Sequence, residues 1–117
     1  ASSNSTFFTF DFQLRLGLLP FKEGESYLDE IQIATSKELI LPDNVHFYNS
    51  ITISTNDKVV LGENLLIGGD LNLQVKKSNL IIKNNIGVGG NLKLGKGIFN
   101  EHKVIENISY FGEVITN

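Results

Sequence analysis

The feature that most constrains this chain is a sentence written twice. LGENLLIGGDLNL (Leu61–Leu73) returns as IKNNIGVGGNLKL (Ile82–Leu94) at an offset of 21 residues. Twenty residues earlier lies LPDNVHFYNSITI (Leu41–Ile53), and 22 residues later lies VIENISYFGEVIT (Val104–Thr116). A fainter copy, FKEGESYLDEIQI, spans Phe21–Ile33. A unit this short buries its apolar side chains only by stacking on its neighbours, so the repeat points to a solenoid.

The columns of the repeat give the local structure. Phe21, Leu41, Leu61, Ile82 and Val104 form one apolar column, and Val45, Leu65, Ile86 and Ile108 form the next. Tyr27, Phe47, Ile67, Val88 and Tyr110 follow, then Ile31, Ile51, Leu71, Leu92 and Val114, then Ile33, Ile53, Leu73 and Leu94. Leu39, Val59 and Leu80 sit upstream of the first column. Apolar residues alternate with polar ones at period two, which is the signature of strands with one buried face. Three short strands per repeat, joined by corners, describe a β-solenoid.

Two columns mark the corners. The first holds Gly24, Asn44, Asn64, Asn85 and Asn107, and the second holds Asp29, Asn49, Gly69, Gly90 and Gly112. Gly, Asn and Asp enter the left-handed backbone region at low cost, so both columns are expected there. Stacked asparagine amides in the first column are also placed to hydrogen-bond from coil to coil.

Within 117 residues and 41% apolar content, one narrow core is supported. The sequence divides into residues 1–20, an N-terminal tip and amphipathic strand, and residues 21–117, the solenoid. Phe8, Phe10, Phe12, Leu14, Leu16 and Leu18 alternate with polar residues in the longest strand pattern of the chain. That run does not fit a 20-residue offset, because Ile31 would then meet Asp11. It reads as a cap or as an arm exchanged with a neighbour, after a loose tip, ASSNST. Downstream, FKEGESYLDE is the one place where a short helix is conceivable, although the repeat favours a degenerate first coil.

Catalytic constellations are not visible. The chain has no cysteine, so disulfides, thiol catalysis and cysteine-ligated zinc are excluded together. His46 and His102 fall in different columns and lack the spacing of a metal pair. Asp29 and Glu30 form an acidic pair without a partner histidine, and a solvated corner is the default. GENLLIGGD lacks the Lys-Ser/Thr of a phosphate loop. The sequons at Asn4 and Asn107 are short enough to arise by chance.

Net charge is −3 but unevenly spread: residues 21–60 carry −4, residues 61–100 carry +3 and residues 101–117 carry −2. With one arginine and an acidic total, nucleic acid is not an expected partner. No apolar run approaches the length of a membrane span.

LPDN followed by IGGDLNL and VGGNLKL resembles the LPxNLxVGGDLxL repeats found in tandem in some bacterial, phage and viral proteins. In size and plan the chain is also similar to the bactofilins, small β-helices that polymerise end to end. Both resemblances imply scaffolding or assembly and bring no catalytic residues.

The expectation is therefore an all-β, single-domain β-solenoid of about five coils of 20–22 residues, preceded by a long amphipathic strand. The favoured function is a non-enzymatic structural subunit without a cofactor, forming a homo-oligomer or polymer end to end or through its N-terminal strand. The alternative is a module that displays one face to a carbohydrate or protein. A solenoid hydrolase or lyase comes third.

Overall fold

A computed structural model describes residues 5–9, 21–75, 79–95 and 107–116. β1 (Ser5–Thr9) precedes the coils, and the first coil supplies β2 (Ser26–Tyr27) and β3 (Glu30–Thr35). The second coil supplies β4 (Leu39–Leu41), β5 (His46–Phe47) and β6 (Ile51–Thr55). The third supplies β7 (Val59–Leu61), β8 (Leu66–Ile67) and β9 (Leu71–Gln74), and the fourth β10 (Leu80–Ile82), β11 (Ile86–Val88) and β12 (Leu92–Leu94). The last coil contributes β13 (Ile108–Tyr110) and β14 (Val114–Thr116).

These strands stack into three parallel sheets, ordered β1-β3-β6-β9-β12-β14, β10-β7-β4 and β13-β11-β8-β5-β2. The protein is a three-sided β-solenoid. Three coils are complete and the two at the ends show two sides each among the described residues, which makes about four turns rather than five.

The strand register follows the apolar columns. Ile31, Ile51, Leu71, Leu92 and Val114 are successive partners, as are Tyr27, Phe47, Ile67, Val88 and Tyr110. Leu39, Val59 and Leu80 align on the third side. Every second residue is buried, as in the pattern of β6 and β8 to β9, and Leu41, Ile51, Leu61, Leu71 and Leu92 are wholly enclosed. Each such side chain removed from water contributes about 1.5–3 kcal/mol, and the stack shares them along one continuous core.

The segment FKEGESYLDE carries β2 and no helix: Ser26 lies opposite His46, and Tyr27 opposite Phe47. Phe21 is buried with its ring edge-on to Tyr27 at 5.0 Å and to Phe47 at 5.1 Å. Pairing with the second coil outweighs the weak helical spacing, which Gly24 interrupts in the left-handed conformation at φ 79°.

β1 runs parallel to β3, with Thr6 opposite Ile31 and Phe8 opposite Ile33. The offset is 25 residues, so this rung lies outside the repeat spacing. Ser5 and Thr6, expected in a loose tip, belong to the strand because the open edge of β3 supplies their backbone partners. Phe10, Phe12, Leu14, Leu16 and Leu18 lie outside the described residues.

Two of the three corners keep a fixed length. From Phe47 to Ile51, Ile67 to Leu71, Val88 to Leu92 and Tyr110 to Val114 the chain always advances four residues. From Leu41, Leu61 and Ile82 to the next buried column at Val45, Leu65 and Ile86 it again advances four. Among the described coils, the one added residue falls at the corner that follows the six-stranded sheet, where the chain advances six residues from Ile53 to Val59 and seven from Leu73 to Leu80.

Candidate functional site

The two corner columns have different physical causes. At the first, Asn44, Asn64 and Asn85 have φ of 61°, 58° and 63°, the left-handed region that asparagine tolerates. The Asn64 amide donates to Asn44 Oδ1 at 3.0 Å, and the Asn44 amide donates to Glu23 Oε2 at 3.4 Å. Asn107 continues the column through its carbonyl, which accepts the Ile86 N–H at 3.2 Å.

At the second corner no described residue has positive φ, which corrects the left-handed expectation for Asp29, Asn49, Gly69, Gly90 and Gly112. The glycines answer a demand for space. A Cβ on Gly69 would strike Ser50 Oγ, one on Gly90 would strike Asp70 Oδ1, and one on Gly112 would strike Asn91 Oδ1. Those oxygens are held there by a ladder. Asp70 N–H donates to Ser50 Oγ at 2.9 Å, Asn91 N–H to Asp70 Oδ1 at 2.8 Å and Glu113 N–H to Asn91 Oδ1 at 2.9 Å.

Asn49 shows the alternative. Its own Oδ1 accepts the Ser50 N–H at 2.8 Å, so the cap is local and a Cβ is accommodated. From the third coil onward the cap comes from the coil beneath, and the residue before it must be glycine. The glycine backbones meanwhile stack, with Gly69 N–H to Asn49 O at 3.3 Å, and Gly90 N–H to Gly69 O and Gly112 N–H to Gly90 O at 2.9 Å. Lys93 adds an ion pair to Asp70 at 3.4 Å.

The third corner was not visible in the repeat pattern. Thr35 Oγ1 accepts the Lys37 N–H and Thr55 Oγ1 accepts the Asp57 N–H, each at 3.1 Å, while Thr55 donates to the Lys37 carbonyl at 3.0 Å. The signal was a threonine recurring at 20 residues and replaced in the third coil by Val75. Both threonines are buried, and their hydroxyls replace water for two turn amides.

The outer face of the five-stranded sheet carries a concavity. It is a groove of about 250 Å³ lined by His46, Leu66, Gly68, Gly87, Gly89 and Phe111. Positions one residue after each strand of this sheet run Tyr48, Gly68, Gly89, Phe111, and of these Gly68, Gly89 and Phe111 line the groove together with His46 and Leu66. Phe111 is 92% exposed, Tyr48 52% and Leu66 48%. The His46 and Tyr48 rings lie 3.9 Å apart.

His46 thus faces outward beside Tyr48, whereas His102 lies outside the described residues. Among the described residues no three His, Cys, Asp or Glu side chains are grouped to hold a metal. Asp29 is an exposed corner residue and Glu30 begins β3. Phe8 is placed in β1 by its backbone pairing. No helix among the described residues is long and apolar enough to cross a membrane. No family of known proteins matches the chain, and no curated protein or solved structure matches it.

Proposed function

We propose that the chain is a non-enzymatic structural subunit that associates with copies of itself into a filament or other assembly. The observation that carries this reading is the open edge of the six-stranded sheet. β14 is its outermost strand, paired only on the β12 side among the described residues. A strand edge presents a row of backbone donors and acceptors, and a regular parallel edge is a template for another chain.

Sedimentation velocity and negative-stain electron microscopy over a concentration series test the reading. Growth of long or ring-closed species with concentration supports it. A monomer at every concentration overturns it.

A second reading, a binding module, has its own observation in the groove lined by His46, Leu66 and Phe111. An exposed aromatic ring beside a glycine-rich, apolar surface suits the apolar face of a sugar ring or a peptide side chain. Titration with soluble oligosaccharides, followed by tyrosine fluorescence, checks it. Binding that disappears in Phe111→Ala supports the module; no response to any sugar or peptide removes it.

A further inference from the structure

We infer that self-association runs head to tail, with β14 of one copy paired in parallel to β1 of the next in the register Val114 to Thr6, Ile115 to Phe7 and Thr116 to Phe8. This rests on the reading of the chain as a self-associating subunit and assigns its two contact surfaces.

The first argument is register. Thr6, Ile31, Ile51, Leu71, Leu92 and Val114 form one unbroken row of strand partners, so β1 and β14 are the two outer strands of a single sheet and run the same way. At the N-terminal end this sheet extends one rung beyond the five-stranded sheet, which starts at β2, and two beyond the three-stranded sheet, which starts at β4. Among the described residues β1 is therefore the edge presented there. Joining β14 to β1 continues the parallel pattern, whereas joining two β14 edges about a two-fold axis makes them antiparallel.

The second argument is the direction of the backbone groups. In the row Ile31, Ile51, Leu71, Leu92, each N–H donates to the next coil, reaching Ser50 O, Asp70 O, Asn91 O and Glu113 O. Val114 is the following member, and the same direction aims its N–H out of the stack. In the adjacent row Asp70, Asn91 and Glu113, each N–H donates instead to a side-chain oxygen of the preceding coil. Ser5 begins that row, in register with Glu30, so its N–H faces away from β3 and out of the opposite end.

The two ends are complementary. Glu113 is exposed, and its carboxylate accepts no hydrogen bond from a described residue. It occupies the place where Ser50, Asp70 and Asn91 hold the acceptors of the ladder. In the inferred register the Ser5 N–H of the second copy donates to the Glu113 carboxylate, and the Val114 N–H donates to the Ser5 carbonyl. The ladder that joins coils within one chain thereby continues between chains.

Engineered cysteines test the register cleanly, because the chain has none of its own. Opposed residues on neighbouring strands lie about 4.8 Å apart, within the ~4.4–6.8 Å that a disulfide spans, while a partner two residues out of register lies about 8 Å away. Differently tagged Phe7→Cys and Ile115→Cys chains are mixed and oxidised, with Thr9→Cys and Ile115→Cys as the shifted control. The expected result is a covalent heterodimer from the first mixture only. As a measurement that needs no change to β1, Glu113→Ala is expected to weaken association about tenfold with an unchanged thermal melt, the loss of one charge-assisted hydrogen bond. Self-association that persists with Ile115 to Ile115 crosslinks, or without the Phe7 to Ile115 product, overturns this register and leaves the assembly reading in place. Absence of association in the unmodified chain overturns both.

Discussion

The two fixed corners look alike in sequence and differ in cause. Gly24, Asn44, Asn64 and Asn85 are chosen for a backbone angle, with φ between 58° and 79°. Gly69, Gly90 and Gly112 are chosen for the absence of a Cβ, because a side-chain oxygen from the coil beneath fills its place. A glycine in a repeat column is therefore ambiguous until the neighbouring coil is considered. Asparagine substitutes well for glycine where the angle is the demand and badly where space is the demand.

Substitutions at the two corners sharpen this contrast, and the core sets the scale against which they are read. Leu71, enclosed between Ile51 and Leu92, is expected to lose about 2–5 kcal/mol as Leu71→Ala by chemical denaturation. A corner substitution that matches this value acts on the whole stack and not on one turn.

Next comes Gly90→Ala, which places a methyl against Asp70 Oδ1 and within 3.0 Å of Gly69 O. The expected loss is about 1–3 kcal/mol, and a loss under ~0.5 in denaturant melts refutes the space argument. The cap can also be moved. Gly69→Asn alone is expected to destabilise, but Gly69→Asn with Ser50→Ala removes the opposing Oγ and lets the new amide cap the Asp70 N–H as Asn49 caps Ser50. The double variant should recover about 1 kcal/mol relative to the sum of the singles, and a double-mutant cycle with no coupling breaks the explanation.

The smallest effect belongs to the first corner. Asn64→Ala forces alanine into the left-handed region and removes the amide bond to Asn44, for a loss of about 1–2 kcal/mol. Asn64→Gly should stay within roughly half of that, because glycine meets the angle without strain. Equal losses for alanine and glycine, measured by thermal melts, would erase the distinction between the corners.

What could be read from the sequence follows the same division. The apolar columns were legible because burial imposes period two on every strand and stacking repeats it, so Ile51, Leu71 and Leu92 declared their register directly. The corner positions were legible as corners. Their mechanism at Gly69 and Gly90 was not, because the atoms that exclude a Cβ belong to Ser50 and Asp70, about twenty residues away. The Thr35 and Thr55 turns were hidden because a buried hydroxyl looks polar in a pattern search. The pairing of β1 with β3 was hidden because its 25-residue offset matches no repeat. The groove depends on His46, Leu66 and Phe111, which come beside Gly68 and Gly89 only after the coils have stacked.

The variable corner has a consequence for how such a chain can change. From the six-stranded sheet to the three-stranded sheet the chain advances six residues from Ile33 to Leu39 and from Ile53 to Val59, and seven from Leu73 to Leu80. The stacked partners before and after these stretches keep their alignment regardless. Among the described coils, added length is taken up along one ridge of the prism while the other two ridges keep four-residue steps. That ridge suits a graft: between Gln74 and Leu80 the chain already carries one residue more than the coil before it while the strands on either side keep their partners, so a foreign peptide placed there is expected to leave the stack intact.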